Sequence, residues 1–287
     1  MANSNNDVEQ NDPAWLLEFR ADVFSQQGED GVIKKVLDTL PELDRWCVEF
    51  GAWDGAHLSN SRNLIENRDY SAVLIEADQG KFSDLSRNYA DKDNVFPVNA
   101  FVGFKHDDGL DTILANIPIP VEFDFLSIDI DGNDYHAWSA VQKYTPKVVC
   151  IEFNPTIHTD VDYVQAADPS LTRGASLSAL VSLGREKGYE LISVLPFNAV
   201  FVRRKYYELF NIPDNSPYAL RKDLSHVTYL FSGYDGKVLL SGSRELPWHL
   251  VPQKESKAQQ MPFFLQAFPA NYNLIQRALF RIFRSFF

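Results

Sequence analysis

The sequence contains little cysteine and no long apolar run. Its 287 residues include only two cysteines, Cys47 and Cys150, and each lies inside an apolar segment typical of a core strand. A thiol in such a segment usually behaves as a small apolar side chain, so neither a disulfide framework nor a zinc site is expected. No segment approaches the roughly 20 uninterrupted apolar residues of a membrane-spanning helix. We therefore expect a globular protein whose contact with a membrane, if it has one, is peripheral.

Positive charge is scarce as well. The 27 lysine and arginine residues are outnumbered by 39 aspartate and glutamate residues, which gives a net charge of −12. This charge opposes the approach of a phosphate backbone, so nucleic acid is not an expected partner. The first dozen residues are polar and lack the apolar segment of a secretory signal, which favours a cytoplasmic location. We predict a flexible N-terminal segment over residues 1–24.

Apolar strands alternate with helices between residues 25 and 210, the span of the predicted main domain. Strands are predicted over residues 45–50, 71–76, 95–102, 123–129 and 147–152. Alternation at this pitch predicts parallel strands. The last two strands, 189–195 and 199–203, are joined by only three residues, which suits an antiparallel hairpin and not a crossover. The predicted fold is therefore an α/β, Rossmann-like sheet of the class I methyltransferase type, mostly parallel, with a C-terminal antiparallel hairpin.

The pattern changes after residue 210, and residues 211–287 form a predicted C-terminal appendage. Its last part, residues 272–287, has apolar residues at helical spacing and carries Arg277, Arg281 and Arg284 on the opposite face. Such a basic amphipathic helix can lie in a membrane interface, here at the inner face of the membrane. The alternative is that its apolar face packs on the domain or on a second subunit of a homo-oligomer.

Candidate ligand-binding residues stand at the ends of the first two predicted strands. In open α/β sheets, ligands bind beyond the carboxyl ends of the strands. Gly51 and Gly55 would let the backbone approach a ligand closely, because glycine tolerates a positive φ. Glu49 could accept a hydrogen bond from an ammonium group, and Glu76 ends the second strand, where Rossmann-like folds hold ribose hydroxyls. Asp54, inside the same turn, is a further candidate.

The turn over residues 51–55 reads Gly-Ala-Trp-Asp-Gly and does not match the Gly-x-Gly-x-x-Gly pattern that cradles a pyrophosphate. A cofactor without phosphates is therefore favoured. S-adenosylmethionine consists of a ribose, an adenine, an amino acid and a positive sulfonium, and an acid-lined pocket suits that positive charge. The alternative is that the glycine turn is ordinary and that the acids are solvated.

Four runs of residues resemble those of FkbM-type methyltransferases. They are SQQGED at residues 25–30, VEFGAWDG at 48–55, SIDIDG at 127–132 and IEFN at 151–154. The resemblance implies S-adenosylmethionine as cofactor and O-methylation of a sugar or natural-product hydroxyl, often in glycan modification. Gln26, in the first run, is expected to close the cofactor pocket, although this run also suits helix capping.

Oxygen ligands follow the fourth and fifth predicted strands. Asp129 and Asp131 follow the fourth strand, and Glu152 and Asn154 follow the fifth. Carboxylate and amide oxygens suit Mg²⁺ or Mn²⁺, so these four residues are the candidate metal ligands. A metal at this position would orient an acceptor hydroxyl and lower its pKa. The alternative is that the two aspartates only shape their loop.

Methyl transfer to a hydroxyl also needs a group that takes the acceptor's proton. Asp129 is the preferred candidate, and it is expected to lie against the cofactor as well. His136 is the second candidate because a histidine can accept a proton near neutral pH. His57 and His158 lie in loops at the same edge. The long connection over residues 154–174 is expected to cover the acceptor, which we take to be a glycan or a small molecule with a hydroxyl group.

Two other functions fit parts of the sequence. A strand followed by Asp-x-Asp, here Asp129 and Asp131, also describes the metal site of a glycosyltransferase, but the turn over residues 49–55 and the late hairpin would then be unexplained. The second alternative is a non-catalytic binding module that attaches to membranes through residues 272–287.

Overall fold

The computed structural model describes residues 12–105 and 107–286. Within these residues the chain forms two compact units, of which the first extends to Asp223 and the second begins at Leu224. Each unit has its own strands and helices, and most of the buried apolar side chains belong to the first.

The boundary between the units falls later in the chain than the predicted boundary at residue 210. Residues 211–223 pack within the first unit, because Leu220 is fully buried and the Arg221 guanidinium donates hydrogen bonds to the carbonyl oxygens of Pro155 and Ile157, both at 2.7 Å. The composition of this stretch is typical of a loop. Its packing is decided by partners more than 60 positions away in the sequence.

Seven strands form the central sheet of the first unit, in the order β3-β2-β1-β4-β5-β7-β6. They are β1 (Trp46–Phe50), β2 (Ser71–Glu76), β3 (Val95–Asn99), β4 (Phe125–Ile128), β5 (Val148–Glu152), β6 (Tyr189–Val194) and β7 (Asn198–Arg203). All neighbouring pairs are parallel except those of β7, which is antiparallel to both β5 and β6. The order and the terminal hairpin confirm the predicted Rossmann-like class I methyltransferase fold.

Helices connect these strands and cover the sheet. The α-helices of the first unit are α1 (Glu29–Thr39), α2 (Arg62–Arg68), α3 (Gln79–Asn88), α4 (Leu110–Ile113), α5 (Asp134–Ala140), α6 (Leu177–Glu186) and α7 (Pro217–Leu220). Short 3-10 helices lie at Trp15–Phe19, Leu114–Asn116 and Arg204–Phe210. The central strands are apolar along nearly their whole length, because a parallel sheet is covered on both faces. Accordingly, every residue of β4 is buried, and so are all but the first residues of β1 and β2.

The carboxyl ends of the parallel strands meet at one edge of the sheet. The register pairs Glu49 at the end of β1 with Ser127 in β4, and Glu76 at the end of β2 with Asn99 in β3. The chain proceeds from β1 to β2 on one side, whereas β4 lies on the other side of β1. A crevice forms at such a switch point in open α/β sheets and is the usual place for a ligand. The fold therefore brings the loops after β1, β2 and β4 to one candidate site.

The first eleven residues of the predicted flexible segment 1–24 lie outside the described part of the chain. The remainder differs from that prediction, because Trp15–Phe19 forms a 3-10 helix whose Leu16 is fully buried. The indole N–H of Trp15 also donates a hydrogen bond to the carbonyl oxygen of Phe210 at 3.0 Å. Burial of a leucine and a tryptophan hydrogen bond hold this stretch on the first unit.

The second unit consists of two small hairpins and short helices. Its elements are β8 (Thr228–Ser232), β9 (Val238–Gly242), β10 (Glu245–Leu246), β11 (Val251–Pro252), α8 (Glu255–Ala258) and α9 (Leu274–Arg284), with 3-10 helices at Phe263–Leu265 and Pro269–Asn271. Helix α9 occupies most of the helix predicted over residues 272–287, of which Phe287 lies outside the described residues. Over the ranges that the structure describes, no helix is long and apolar enough to cross a membrane.

A buried ion pair lies at the edge of the sheet opposite to the candidate site. Asp124, just before β4, is fully buried and accepts hydrogen bonds from the backbone N–H groups of Asp44 and Arg45 at 3.0 and 2.7 Å. The Lys147 ammonium donates to Asp124 at 2.8 Å and to the Asp44 carboxylate at 2.7 Å. These bonds tie the starts of β4 and β5 to the segment that leads into β1.

Replacing Asp124 with alanine should lower the free energy of unfolding by about 3–5 kcal/mol, because two backbone N–H groups lose their acceptor and the Lys147 ammonium loses its buried partner. Urea titration monitored by circular dichroism measures this change. Asp84→Ala is the control, since Asp84 pairs with Arg87 on an exposed helix surface and its loss should change stability by only about 0.5 kcal/mol. Equal effects of the two substitutions would contradict the structural role given to Asp124.

Candidate active site

A cavity of about 220 Å³ opens at the carboxyl edge of the sheet, between the loops after β1, β2, β3 and β4. Its lining comprises Gly51, Trp53, Ile75, Glu76, Ala77, Ala100, Phe101, Val102, Asp129, Ile130 and Asp131. The structure thus brings together four of the predicted site residues: Gly51, Glu76, Asp129 and Asp131.

Glu76 is held in a fixed orientation at the wall of this cavity. One of its carboxylate oxygens accepts a hydrogen bond from the backbone N–H of Trp53 at 2.8 Å, and the other accepts from the N–H of Asp78 at 2.7 Å. Each oxygen keeps lone-pair capacity for another donor. A carboxylate fixed in this way can accept hydrogen bonds from two adjacent hydroxyl groups of one ligand.

Two aromatic side chains that the sequence analysis did not single out stand at the same cavity. Trp53 and Phe101 are 47% and 48% exposed, which is unusual for residues of this size lining a pocket. Trp53 also has a positive φ of 52°, a conformation that bulky residues rarely adopt and that often marks a functional loop. The sequence signal that could have identified Trp53 is its position between the two glycines of the turn. Exposed rings at a cavity can bind a planar group.

The two glycines of the turn are required for different structural reasons. Gly51 lines the cavity, and a Cβ there would lie 1.6 Å from the carbonyl oxygen of Asp129. Its φ of 76° and this close approach allow only glycine. Gly55 was predicted to line the cavity but does not: a Cβ there would lie 2.4 Å from Leu85 in α3 and 2.6 Å from Tyr89, which directly follows α3. The second glycine therefore serves the packing of α3 and not a cofactor.

Glu49 also has a different place from the one predicted. Its carboxylate is buried and accepts hydrogen bonds from the Ser59 hydroxyl at 2.6 Å, from the Asn60 backbone N–H at 2.9 Å and from the Ser61 hydroxyl. Burial raises the pKa of this carboxyl group, and the hydrogen bonds oppose that rise. Glu49 braces the loop before α2 and does not reach the cavity, so the expected contact with an ammonium group is not supported.

The backbone of the turn leaves few N–H groups for a ligand. Hydrogen bonds within the chain engage the N–H groups of Ala52, Trp53, Gly55, Ala56 and His57. Those of Ala56 and His57 both donate to the carboxylate of Asp54. Asp54 therefore shapes the turn through one carboxylate oxygen and does not line the cavity. A phosphate cradle requires several free N–H groups, and this turn does not supply them.

The run over residues 25–30 shapes the chain before α1, although this helix has no side-chain cap hydrogen bond at its N-cap residue Gly28. Gln26 is exposed and does not line the cavity, contrary to the predicted role in closing the pocket. One carboxylate oxygen of Asp30 accepts hydrogen bonds from the backbone N–H groups of Val23, Phe24 and Ser25, at 2.6 to 2.9 Å. These bonds fold the chain tightly before α1.

Three carboxylates converge beside the cavity. Asp129, Asp134 and Glu152 each have an oxygen within 4.8 Å of the others. Burial, together with the negative charges of the neighbouring acids, raises the pKa values of Asp129 and Glu152 well above the ordinary value. Burial raises the pKa of Asp134 to about 6, despite hydrogen bonds from the backbone N–H groups of Ile130 and Gly132. We call these three residues the acid cluster. Three hard oxygen donors at this spacing fit a Mg²⁺ or Mn²⁺ ion.

The composition of the acid cluster differs from the predicted metal site. Asp129 and Glu152 belong to it as predicted, and Asp134 takes the place of Asp131, which is exposed. Asn154 is engaged elsewhere: its side-chain oxygen accepts from the backbone N–H and the hydroxyl of Thr156, at 2.9 and 2.6 Å. Asp131 has a positive φ of 55°, and this turn of the backbone carries its side chain away from the cluster.

A fourth acid, Glu29, is buried close to this group. Its carboxylate accepts a hydrogen bond from the side-chain amide of Asn198 at 3.1 Å, and Asn198 pairs directly with Glu152 across β5 and β7. The negative charge of Glu29 contributes to the raised pKa of Asp129, after burial and the nearer acids. The sequence analysis missed both residues, although Glu29 lies in the run at 25–30.

His136 lies near the acid cluster but outside the lining of the cavity. Its Nε2–H donates a hydrogen bond to the carbonyl oxygen of Gln165 at 2.8 Å, which leaves Nδ1 as the proton-accepting atom. Gln165 belongs to the connection over residues 154–174, and Asn133 donates a further hydrogen bond to Asp168 in this connection, at 3.2 Å. The long connection therefore packs on the loop after β4. His57 is exposed, and His158 is half-buried beside Asp160.

Replacing Asp129 with asparagine should raise the free energy of unfolding at pH 8 by about 1 kcal/mol or more, because it removes one charge from a buried like-charged group. The raised pKa values mean that the folded state binds more protons than the unfolded state above about pH 4. The unsubstituted protein should therefore lose stability as the pH rises through 6 and beyond, and the variant should lose less. Urea titrations at several pH values measure the two slopes. Equal slopes, or an equal gain in the exposed variant Asp84→Asn, would contradict this account.

Comparison with known proteins gives similarity at the level of fold only. No family model and no curated protein matches the chain. Among solved structures, the N-terminal domain of EvdMO1, in the presence of SAH and D-fucose, is 10% identical over 62% of this chain and 83% of its own, with a TM-score of 0.42. A SAM-dependent methyltransferase from Aquifex aeolicus is 10% identical over 66% of this chain and 96% of its own, with a TM-score of 0.40.

A third similar structure is the precorrin-6y C5,15-methyltransferase from Geobacter metallireducens. It is 16% identical over 64% of this chain and 95% of its own, with a TM-score of 0.37. Because all three TM-scores lie below 0.5, the assignment of the fold depends on the chain's own strand order.

Proposed function

We propose that the chain is an S-adenosylmethionine-dependent methyltransferase whose cofactor binds in the cavity at the carboxyl edge of the sheet. The fixed carboxylate of Glu76 carries this proposal. It ends β2, faces the cavity and has both oxygens oriented by backbone N–H groups, as a receptor for the two ribose hydroxyls requires. The exposed rings of Trp53 and Phe101 at the same cavity offer a place for the adenine.

The electrostatics of the site favour this cofactor over a dinucleotide. The backbone N–H groups of the turn after β1 are engaged within the chain, so a pyrophosphate would find no cradle there. The acid cluster beside the cavity places negative charge near the bound ligand. Such a site repels phosphates and attracts the positive sulfonium of S-adenosylmethionine.

The acid cluster supplies the groups for the acceptor side of the reaction. Asp129 lines the cavity and belongs to the cluster, so it can contact both the cofactor and an acceptor hydroxyl. Burial and the neighbouring acids raise its pKa, which makes it a stronger base than an ordinary aspartate. His136 is the alternative, through Nδ1. In this arrangement Asp129 would orient the hydroxyl toward the methyl group and accept its proton. The hydroxyl oxygen would bond to the methyl carbon as the bond between that carbon and the cofactor sulfur breaks, with S-adenosylhomocysteine as the leaving group.

We further propose that Asp129, Asp134 and Glu152 hold Mg²⁺ or Mn²⁺. A bound divalent ion would lower the pKa of a coordinated acceptor hydroxyl and neutralise charge in the cluster. The acceptor class that fits is a sugar hydroxyl of a glycan or of a glycosylated natural product. Two observations support this choice: the donors of the cluster are all oxygens, and the chain resembles FkbM-type methyltransferases in four runs.

The substitution Glu76→Gln should weaken the binding of S-adenosylhomocysteine by about tenfold or more, because one charged acceptor of the ribose hydroxyls becomes an amide. Calorimetric titration of the purified chain with this product measures the dissociation constant. Asp84→Asn removes the same charge from the exposed face of α3 and should leave the constant unchanged. If the unsubstituted chain binds no S-adenosylhomocysteine but binds a nucleotide sugar, the methyltransferase proposal fails and the glycosyltransferase alternative replaces it.

The substitution Asp129→Asn should abolish methyl transfer to a responsive acceptor and weaken Mn²⁺ binding at least about tenfold, while cofactor affinity changes little. Electron paramagnetic resonance titration with Mn²⁺ follows the free ion independently of turnover. Asp84→Asn is the control, because it removes the same charge from an exposed helix surface and not from the cluster. Unchanged Mn²⁺ binding in Asp129→Asn would refute the metal site, and a screen with transfer only to proteins or small phenols would refute the sugar acceptor.

A further inference from the structure

Exposed large apolar side chains are concentrated in the second unit. Among the described residues, 17 of the 26 such side chains belong to this unit, which contains less than a quarter of the chain. Isolated exposed apolar residues are ordinary on protein surfaces, whereas a contiguous apolar surface usually marks an interaction site. The uneven distribution therefore indicates that the second unit contacts an apolar partner.

Helix α9 shows where this surface lies. Phe280 packs edge-to-face on Tyr272, with ring centroids 5.4 Å apart, and this contact attaches the helix to its own unit. Ile275, Ile282 and Phe286 are 71%, 57% and 79% exposed. At about 100° per residue, these three side chains share one narrow sector of the helix, and Phe280 lies on a different side. The outward sector of α9 is therefore apolar and uncovered.

Basic side chains occupy the side of the helix opposite to this apolar sector. Arg277, Arg281 and Arg284 are all exposed, and the sequence contains no aspartate or glutamate after Glu255. Residues 224–287 carry seven lysines and arginines against three acids, a net charge of +4, in a chain whose net charge is −12. The unit that exposes the apolar side chains thus has a positive net charge, whereas residues 1–223 have a negative one.

We propose that the second unit binds the surface of an anionic lipid bilayer through α9. The arginines would contact the lipid phosphate groups at the bilayer surface. The apolar sector would contact the acyl chains below them. The proposal goes beyond methyl transfer and does not depend on it.

The geometry of the helix defines how it binds. Eleven residues span about 16 Å, roughly half of the hydrocarbon thickness of a bilayer, so α9 lies in the plane of the interface. Phe263, Phe264 and Phe268, in the segment before the helix, are also exposed. Aromatic side chains favour the boundary between headgroups and acyl chains, and these rings provide additional anchors.

Vesicle flotation with the full chain tests the proposal. The protein should float with vesicles of phosphatidylglycerol and phosphatidylcholine, float much less with phosphatidylcholine alone, and dissociate at high salt because the attraction is partly electrostatic. Equal flotation with both vesicle types, or none with either, would overturn the proposal. Titration with S-adenosylhomocysteine in parallel separates this outcome from a failure of the methyltransferase proposal.

Two double variants separate the apolar and the charged contributions. Ile275→Ser with Ile282→Ser should reduce the partition coefficient at least about tenfold, and Arg281→Glu with Arg284→Glu should remove the preference for anionic lipid. Lys254→Glu with Lys257→Glu makes the same charge change in the same unit, away from α9, and should retain most of the binding. Because all these side chains are exposed, circular dichroism should show unchanged folding.

The competing occupant of this surface is a second copy of the chain. Light scattering after size exclusion reports it directly. A dimer that the isoleucine substitutions dissociate, together with absence of vesicle binding, would assign α9 to self-association and overturn the lipid proposal. A monomer that binds anionic vesicles would support it.

Discussion

The carboxyl ends of parallel strands meet at one edge of a sheet, and in this chain every one of the strands β1, β2, β4 and β5 has an acid there. β2 and β5 end in an acid, β1 has one at its penultimate position, and β4 is followed directly by one. Each acid at that edge must therefore find hydrogen-bond donors or share its space with other acids. Glu49 obtains two hydroxyls and a backbone N–H, and Glu76 obtains two backbone N–H groups. Asp129 and Glu152 face other carboxylates instead, and their pKa values rise for that reason as well as from burial. The distribution of donors thus separates acids that are held in one orientation from acids that share a buried space with other carboxylates.

Much of this arrangement could be predicted from the sequence, because apolar runs ending in acids mark buried parallel strands and the edge where they end. The sheet, its terminal hairpin and the proximity of Asp129 to Glu152 follow from that pattern. The choice between Asp131 and Asp134 does not, since it depends on one residue with a positive φ in the loop after β4. Nor does the sequence reveal that the backbone N–H groups of Ala56 and His57 donate hydrogen bonds to the carboxylate of Asp54. In both loops the direction of the backbone determines which side chain reaches the site. The residue types specify that direction only weakly.

Packing distant in the sequence explains the other differences. Arg221 reaches into the loop after β5, and Trp15 reaches the residue that ends the 3-10 helix at Arg204–Phe210, so both ends of the first unit extend past the boundaries that composition indicates. Gly55 illustrates the same point on a smaller scale. A glycine next to a candidate site suggests room for a ligand, but the neighbours that require it are Leu85 in α3 and Tyr89 directly after α3. Periodicity identifies elements, whereas only the assembled fold shows which surfaces they share.

The hydrogen bond between Glu29 and Asn198 joins residues 169 positions apart in the chain. Glu29 is made early during translation, and its partner belongs to the last strand of the sheet. At ordinary rates of synthesis, roughly 10–30 s separate the emergence of the two. By then the residues of β1 to β5 have been synthesised, but Glu29 at the start of α1 still lacks its hydrogen-bond partner, the side-chain amide of Asn198. Closure of the acid-rich edge is therefore a late event in biosynthesis, and a nascent chain that stops before β7 retains the acids of the site without the strand that orders them.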